Sequence, residues 1–242
     1  MLDQFSRTRI LLGNEAMEKL AASRVAVFGV GGVGSYAAEA LVRCGIGHFV
    51  LVDSDEVSLT NVNRQIHATL DTVGQQKTRV MAERMRSINP AVKIQELNEF
   101  YLPENHELFF EERIDYIVDA IDTVKSKIDL ILEADRRQIP IISSMGAGNK
   151  LNPAMLEVSD IYKTSVCPLA RAIRQKLKKL GVKKLKVVYS KEEPLKHMLI
   201  EGHTEEPAGS RHTVPGSVSF VPSVAGLIAA SEVVKDLCCI NR

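Results

Sequence analysis

The chain alternates short apolar runs with longer stretches in which apolar residues recur every three or four positions. Arg24-Val25-Ala26-Val27-Phe28 is such a run, closed by glycine, and reads as a buried strand over 24–28. The turn Gly29-Val30-Gly31-Gly32-Val33-Gly34-Ser35 follows, and Ala37, Ala38, Ala40, Leu41 and Cys44 then mark a helix over 35–43. A second strand, 48–52, ends in Asp53-Ser54-Asp55. Val80, Met81, Met85 and Ile88 share one side of a helix over 74–88. Strands at 91–97, 115–119 and 140–143, with a helix at 124–138 and a short helix or loop at 108–113, continue the alternation. Strands alternating with helices predict an α/β fold, a doubly wound, mostly parallel Rossmann-like sheet. Two short helices within 2–20, punctuated by Gly13-Asn14, precede it.

Past Ser144 the pattern changes. A strand at 155–158, a helix at 169–180, a strand at 184–189, a long polar segment at 190–216 and an apolar helix at 222–236 form a C-terminal α/β extension. Residues 1–150 therefore read as one domain and 151–242 as an extension packed on the same sheet. Composition adds little: 45% hydrophobic and 25% charged residues are those of a globular chain long enough for a large core. The net charge of +1 gives no bulk attraction to nucleic acid or membrane. Locally the balance differs, because 171–186 holds eight basic residues and no acid, which reads either as a solvated face or as a polyanion surface. Cys44, Cys167, Cys238 and Cys239 offer neither a disulfide framework nor a Cys-x-x-Cys zinc pair. The start Met1-Leu2-Asp3-Gln4 does not read as a signal peptide, and the apolar segment 218–234 is short for a membrane span, so a cytoplasmic location is expected.

The chemistry gathers at one sheet edge. Strand, glycine turn, helix, strand and acid form a nucleotide-binding unit, with Gly29, Gly31, Gly32 and Gly34 admitting a phosphate to the helix N-terminus. Asp53 is placed to accept hydrogen bonds from ribose hydroxyls. The doubled glycine departs from the dehydrogenase fingerprint and points away from NAD. A purely structural turn is the alternative. The loop with Asn61, Arg64 and Gln65 lies past the second strand, and Lys77 sits in a first helical turn, unfavourable with the dipole unless an anion shares the site. Asp122 leaves the carboxyl end of the fourth strand, where it can hold Mg²⁺ or cap the next helix. With no Ser-His-Asp grouping, this set favours attack of a substrate carboxylate on the α-phosphate of ATP, with Arg64, Lys77 and Asp122 as the catalytic group.

Arg7-Thr8-Arg9 with Leu12-Gly13, the glycine turn, Asp53-Ser54-Asp55, Asn61-Val62-Asn63-Arg64-Gln65, Gly74 with Lys77, and Asp122 together resemble the ubiquitin-activating-enzyme-like adenylyltransferase superfamily. The resemblance implies ATP and Mg²⁺ as cofactors, acyl-adenylate formation and a homodimer in which Arg9 approaches the partner's nucleotide. It also implies nucleotide contacts for Asp55, Asn61 and Gln65. In the second half, Ser144-Met145-Gly146-Ala147-Gly148-Asn149-Lys150, Asp160-Ile161, Lys163-Thr164, Cys167-Pro168-Leu169-Ala170-Arg171 and Pro215-Gly216-Ser217 with Phe220-Val221-Pro222-Ser223-Val224-Ala225-Gly226 resemble the tRNA threonylcarbamoyladenosine dehydratases.

That family implies adenylation of the threonyl carboxylate of the modified tRNA base, and ring closure by the neighbouring carbamoyl nitrogen. Its tRNA would contact the basic helix, and the 190–216 loop would close over the base. A sulfur-relay protein is a candidate partner. Some members carry aspartate where Cys167 stands, so Cys167 reads as a small buried hydrophobe. Two rivals remain: an adenylyltransferase for the tail of a ubiquitin-like sulfur carrier, and a nucleotide-binding oxidoreductase or NAD sensor.

Overall fold

A computed structural model describes residues 2–196 and 215–240; most of the expected 190–216 loop lies outside the described residues. Seven strands form one sheet: β1 (Arg24–Phe28), β2 (His48–Val52), β3 (Lys93–Leu97), β4 (Tyr116–Asp119), β5 (Ile141–Ser144), β6 (Leu156–Asp160) and β7 (Lys186–Ser190). Their order is β3-β2-β1-β4-β5-β7-β6, parallel throughout except for β6, which runs antiparallel to β7. The doubly wound α/β sheet expected from the sequence is present, and the C-terminal residues extend that same sheet.

Side-chain alternation decides what packs where. On one face Val25, Val27, Phe49, Leu51 and Val118 meet α3 (Gly34–Arg43), α4 (Lys77–Ile88) and α7 (Phe220–Leu237) in one cluster. On the other, Ala26, Phe28, Val50 and Ile117 meet Leu130 and Ala134 of α5 (Val124–Arg136). There α5 also shares a cluster with α6 (Pro168–Lys179), through Ile128, Ile131, Ile173 and Leu177. Strands covered on both faces must be apolar throughout, which is why β1, β2 and β4 read as unbroken runs. The short helices α1 (Ser6–Leu12) and α2 (Asn14–Ala22) precede β1. No described helix is long and apolar enough to cross a membrane.

Boundaries moved where backbone chemistry intervened. The fourth helix starts at Lys77, not at residue 74, because Gly74 has φ of +83° and Glu56 bridges Gln76 across the preceding turn. The fifth ends at Arg136, and Gln138 then turns left-handed at φ +56°. Because the strand order reverses between β1 and β4, their carboxyl ends diverge into a crevice, the usual ligand position in open α/β sheets.

Candidate adenylation site

Gly29 leaves β1 at φ +86°, a conformation that side chains resist. Its carbonyl oxygen passes 1.8 Å from where a Cβ on Gly34 would lie, so only glycine lets α3 start against the turn. Gly34 is thus required by packing at the start of α3 and is not among the residues that line the cleft. At Gly31, by contrast, the nearest atom to an added Cβ is Gln65 Nε2 at 3.9 Å, and the space above it is open to the cleft. Gly32 lies between Pro222 and the Arg64 stem.

Asp53 holds the turn. Its Oδ2 accepts from the Val30 N–H at 2.7 Å and its Oδ1 from the Asp55 N–H at 2.9 Å. Burial pushes its pKa up, opposed by the Lys77 ammonium and those two N–H groups. Lys77 is buried at the first position of α4, with Nζ 2.6 Å from Asp55 Oδ2 and 3.7 Å from Asp53 Oδ1. The anionic neighbours expected of a lysine placed there are these two carboxylates.

The loop after β2 is held by Asn61, whose Oδ1 accepts from the Ser58 N–H at 3.0 Å. The Asn61 carbonyl in turn accepts from the N–H groups of Arg64 and Gln65. Arg64 donates to the Thr60 carbonyl at 2.7 Å and Asn63 Oδ1 at 2.9 Å, and no described carboxylate pairs with it. Gln65 Oε1 is buried without a hydrogen-bond partner among the described residues, an orphaned polar atom in the cleft wall.

Asp122 is exposed on the cleft, 3.4 Å from the Thr123 hydroxyl. The residue capping α5 is Thr123, and no side-chain hydrogen bond is made at that cap, so Asp122 is not spent on the helix. Gly29, Gly31, Gly32, Asp53, Asp55, Asn61, Arg64, Gln65, Lys77 and Asp122 all line one cleft of about 390 Å³. Arg9 does not; it pairs with Asp3 at 2.9 Å on α1.

Two features escaped the sequence reading. Beneath Asp122, Lys127 is fully buried with Nζ 2.7 Å from Asp119 Oδ2 and 3.1 Å from Ser143 Oγ. Ser143 donates to the same Oδ2 at 2.6 Å, while Asp119 Oδ1 accepts from the Ile121 N–H at 3.1 Å. This network sets the path of the chain into Asp122. Its sequence signal is a lysine in helical register with Val124, Ile128 and Ile131. The second feature is the far wall, made by Ala147, Gly148, Pro215, Ser217 and Pro222. Asn149 and Gly216 fix it through two bonds of 2.7 Å, and Asn63 Nδ2 donates to the Ser217 carbonyl at 3.0 Å. Cys167 is buried at the start of α6, as expected of a structural cysteine.

The cleft therefore gathers a glycine turn, two cations, an aspartate with no cationic partner among the described residues and a separate far wall. Similar chains have related names. A tRNA threonylcarbamoyladenosine dehydratase of Bacillus subtilis is 48% identical over 98% of this chain and 95% of its own length. That of Escherichia coli is 43% identical over 72% of this chain and 65% of its own. The crystal structure of the E. coli enzyme in complex with ATP superposes with a TM-score of 0.87 at 36% identity, covering 98% of this chain and 94% of that one. The ThiF family matches residues 5–241, and the chain belongs to it.

Proposed function

We propose that this chain catalyses the ATP-dependent dehydration of tRNA threonylcarbamoyladenosine to its cyclic hydantoin form. The observation that carries the reading is near full-length similarity to a dehydratase of that name, joined to a cleft that gathers a glycine turn, Arg64, Lys77 and Asp122. The threonyl carboxylate attacks the α-phosphorus of ATP and expels pyrophosphate. The carbamoyl nitrogen then attacks the activated carbonyl, loses its proton and displaces AMP, which carries away the oxygen. The substrate supplies both nucleophiles, so the protein has to position and neutralise rather than attack.

In this reading Gly29, Gly31 and Gly32 give the phosphates room, Asp53 and Asp55 face the ribose side, and Asn61 and Gln65 shape the floor. Arg64 and Lys77 offset phosphate charge as it moves toward pyrophosphate. Arg9 reaches the neighbouring nucleotide in a homodimer. The residues fit Mg²⁺: the cleft lining carries Asp53, Asp55, Glu99 and Asp122 against Arg64 and Lys77, and Asp122 has no cationic partner within 4.0 Å among the described residues. Asp122 would hold the ion, which when bound supplies charge to the phosphate oxygens. Residues 1–150 then form the nucleotide half and 151–242 the tRNA-facing half. A cytoplasmic location would supply both ATP and tRNA. The chemistry consumes no sulfur, so a sulfur-relay protein would act outside this turnover.

The test is incubation of protein, ATP and Mg²⁺ with tRNA bearing the modified base, then nucleoside mass spectrometry. A nucleoside lighter by one water, formed only with ATP, is expected. Pyrophosphate release triggered instead by a protein with a Gly-Gly tail would replace this reading with the sulfur-carrier one. Asp122→Ala is expected to lose turnover while remaining folded; near-normal pyrophosphate release would remove Asp122 from the catalytic set.

A further inference from the structure

Among the described residues outside α6 and the turn after it, exposed cations with a carboxylate within 4.0 Å outnumber those without one, which are Arg7, Lys19, Lys93, Lys163 and Lys196. Arg79 pairs with Glu83, Arg86 with Glu96, Lys125 with Glu104, and Lys191 with Glu157. Along α6 and the turn after it, this stops. Ala170, Ile173 and Leu177 bury one face of α6 in the core, leaving Arg171, Lys176, Lys178 and Lys179 exposed, followed by exposed Lys183 and Lys184. Two neighbouring cations are engaged: Arg174 donates to the Thr164 carbonyl and hydroxyl at 2.8 and 2.6 Å, and Lys186 pairs with Glu232 and Asp236. The other six have no carboxylate within 4.0 Å among the described residues.

Such crowding costs repulsion, and the helix dipole offsets it only in the last turn, at Lys176, Lys178 and Lys179. Arg171 sits in the first turn, where the dipole opposes it. An external polyanion would compensate all six.

Position identifies which polyanion. The start of α6 adjoins the cleft: a Cβ on Gly146 would lie 3.8 Å from Leu169 Cβ and 3.9 Å from Cys167 Sγ, and the next residues, Ala147 and Gly148, line the far wall. From there α6 runs for about 18 Å at 1.5 Å per residue, carrying its cations away from the reacting centre. The apolar face of α6 is already buried, and the exposed Val166 and Leu180 at its two ends are isolated side chains rather than a face to insert into a bilayer.

We infer that Arg171, Lys176, Lys178, Lys179, Lys183 and Lys184 form a phosphate track that grips the RNA arm flanking the reacting base. The inference rests on the tRNA reading above and adds where its binding energy is generated. Grip remote from the chemistry lets the cleft receive a small group with few base contacts. The free modified nucleoside would then gain nothing from the track.

The test compares wild type with Lys178→Glu/Lys179→Glu/Lys183→Glu, all exposed positions that leave the core intact. Each phosphate contact contributes about 0.7–0.9 to the slope of log K against log salt. The triple variant is expected to flatten the tRNA slope by about 2 to 3 and to weaken tRNA binding at 50 mM salt by about 100-fold. Its ATP affinity, and its turnover of the free nucleoside, should stay within about twofold of wild type. An unchanged salt slope overturns the track, as does wild-type protein that binds phosphatidylserine vesicles more tightly than tRNA. Failure of the reaction reading is separable: wild type that grips tRNA through these lysines but never dehydrates it keeps the track and loses the activity.

Discussion

Replacing Lys127 by Met tests the buried network beneath Asp122. Lys127 and Asp119 are both fully buried, and the ammonium is the only cation within 4.0 Å of Asp119 among the described residues. Met fills much of the lysine stem volume, so packing changes little and the charge is isolated as the variable. Asp119 keeps the Ser143 hydroxyl and the Ile121 N–H, but its charge is left without a counterion in an apolar layer. Breaking one side of a buried pair typically costs about 3–5 kcal/mol. For a chain of this size that is a drop of about 6–20 °C in melting temperature. Urea unfolding of the ligand-free protein, followed by circular dichroism, would show the midpoint falling by about 1–2 M with the slope unchanged. Asp119→Asn added to Lys127→Met removes the stranded charge, so the double variant should be less destabilised than the sum of the singles by about 2 kcal/mol or more. A single variant within about 1 kcal/mol of wild type, or a strictly additive double, refutes the reasoning.

Gly34→Ala places a methyl 1.8 Å from the Gly29 oxygen and should cost at least about 3 kcal/mol, whereas Gly31→Ala should fold normally but lose ATP affinity at least about tenfold, as calorimetric titration would show. The His67 ring is buried with neither nitrogen hydrogen-bonded among the described residues, and burial, with Lys77 and Arg84 adding to it, lowers its pKa from 6.5 to about 4. The unfolded imidazole takes its proton near pH 6.5 and the folded one only near pH 4, so this stability is complete above 6.5 and is lost as pH falls toward 4. About 2 kcal/mol should disappear between pH 8 and pH 5, and His67→Phe should flatten that part of the profile; an unchanged profile in the variant would assign the loss to other groups. If Arg9 serves the partner's nucleotide, mixing inactive Arg9→Ala and Asp122→Ala proteins should restore about a quarter of wild-type activity through mixed dimers. No recovery after verified subunit exchange places Arg9 outside the site.

What the sequence disclosed was governed by local rules. β1, β2 and β4 are covered on both faces, so their apolar runs could be read directly. β6 is half-exposed along its length at the sheet edge, and its limits had to be set by pairing with β7. The glycine turn, Asp53, Arg64, Lys77 and Asp122 converge because parallel strands deliver their carboxyl ends to one edge. Gly34 illustrates the limit of the same rule: the pattern marks it as special but does not say whether a ligand or Gly29 demands the space. Lys127 was passed over despite its register with Val124, Ile128 and Ile131, because a lysine reads as surface until Asp119 and Ser143 are brought to it from neighbouring strands. The Asn149–Gly216 link joins positions 67 residues apart, and no local periodicity encodes it.

The charge balance of the cleft bears on the whole proposal. Four carboxylates and two cations line it, so the protein alone offers a triphosphate a net negative wall. Lys77 is moreover already held by Asp55, whose side chain is 64% exposed while that of Lys77 is 7% exposed. A pair open to water at one end is weak, so its main effect is to hold a buried ammonium in place until a stronger anion arrives. ATP can therefore take over Lys77 at small cost, but two cations do not offset its phosphates and four carboxylates together. The missing positive charge has to be imported, and the proposed reading names two sources: a divalent ion at Asp122 and the partner's arginine. In that reading a cleft short of positive charge in one subunit would commit to chemistry only when both have arrived, and the dependence would guard against idle hydrolysis of ATP by a lone chain.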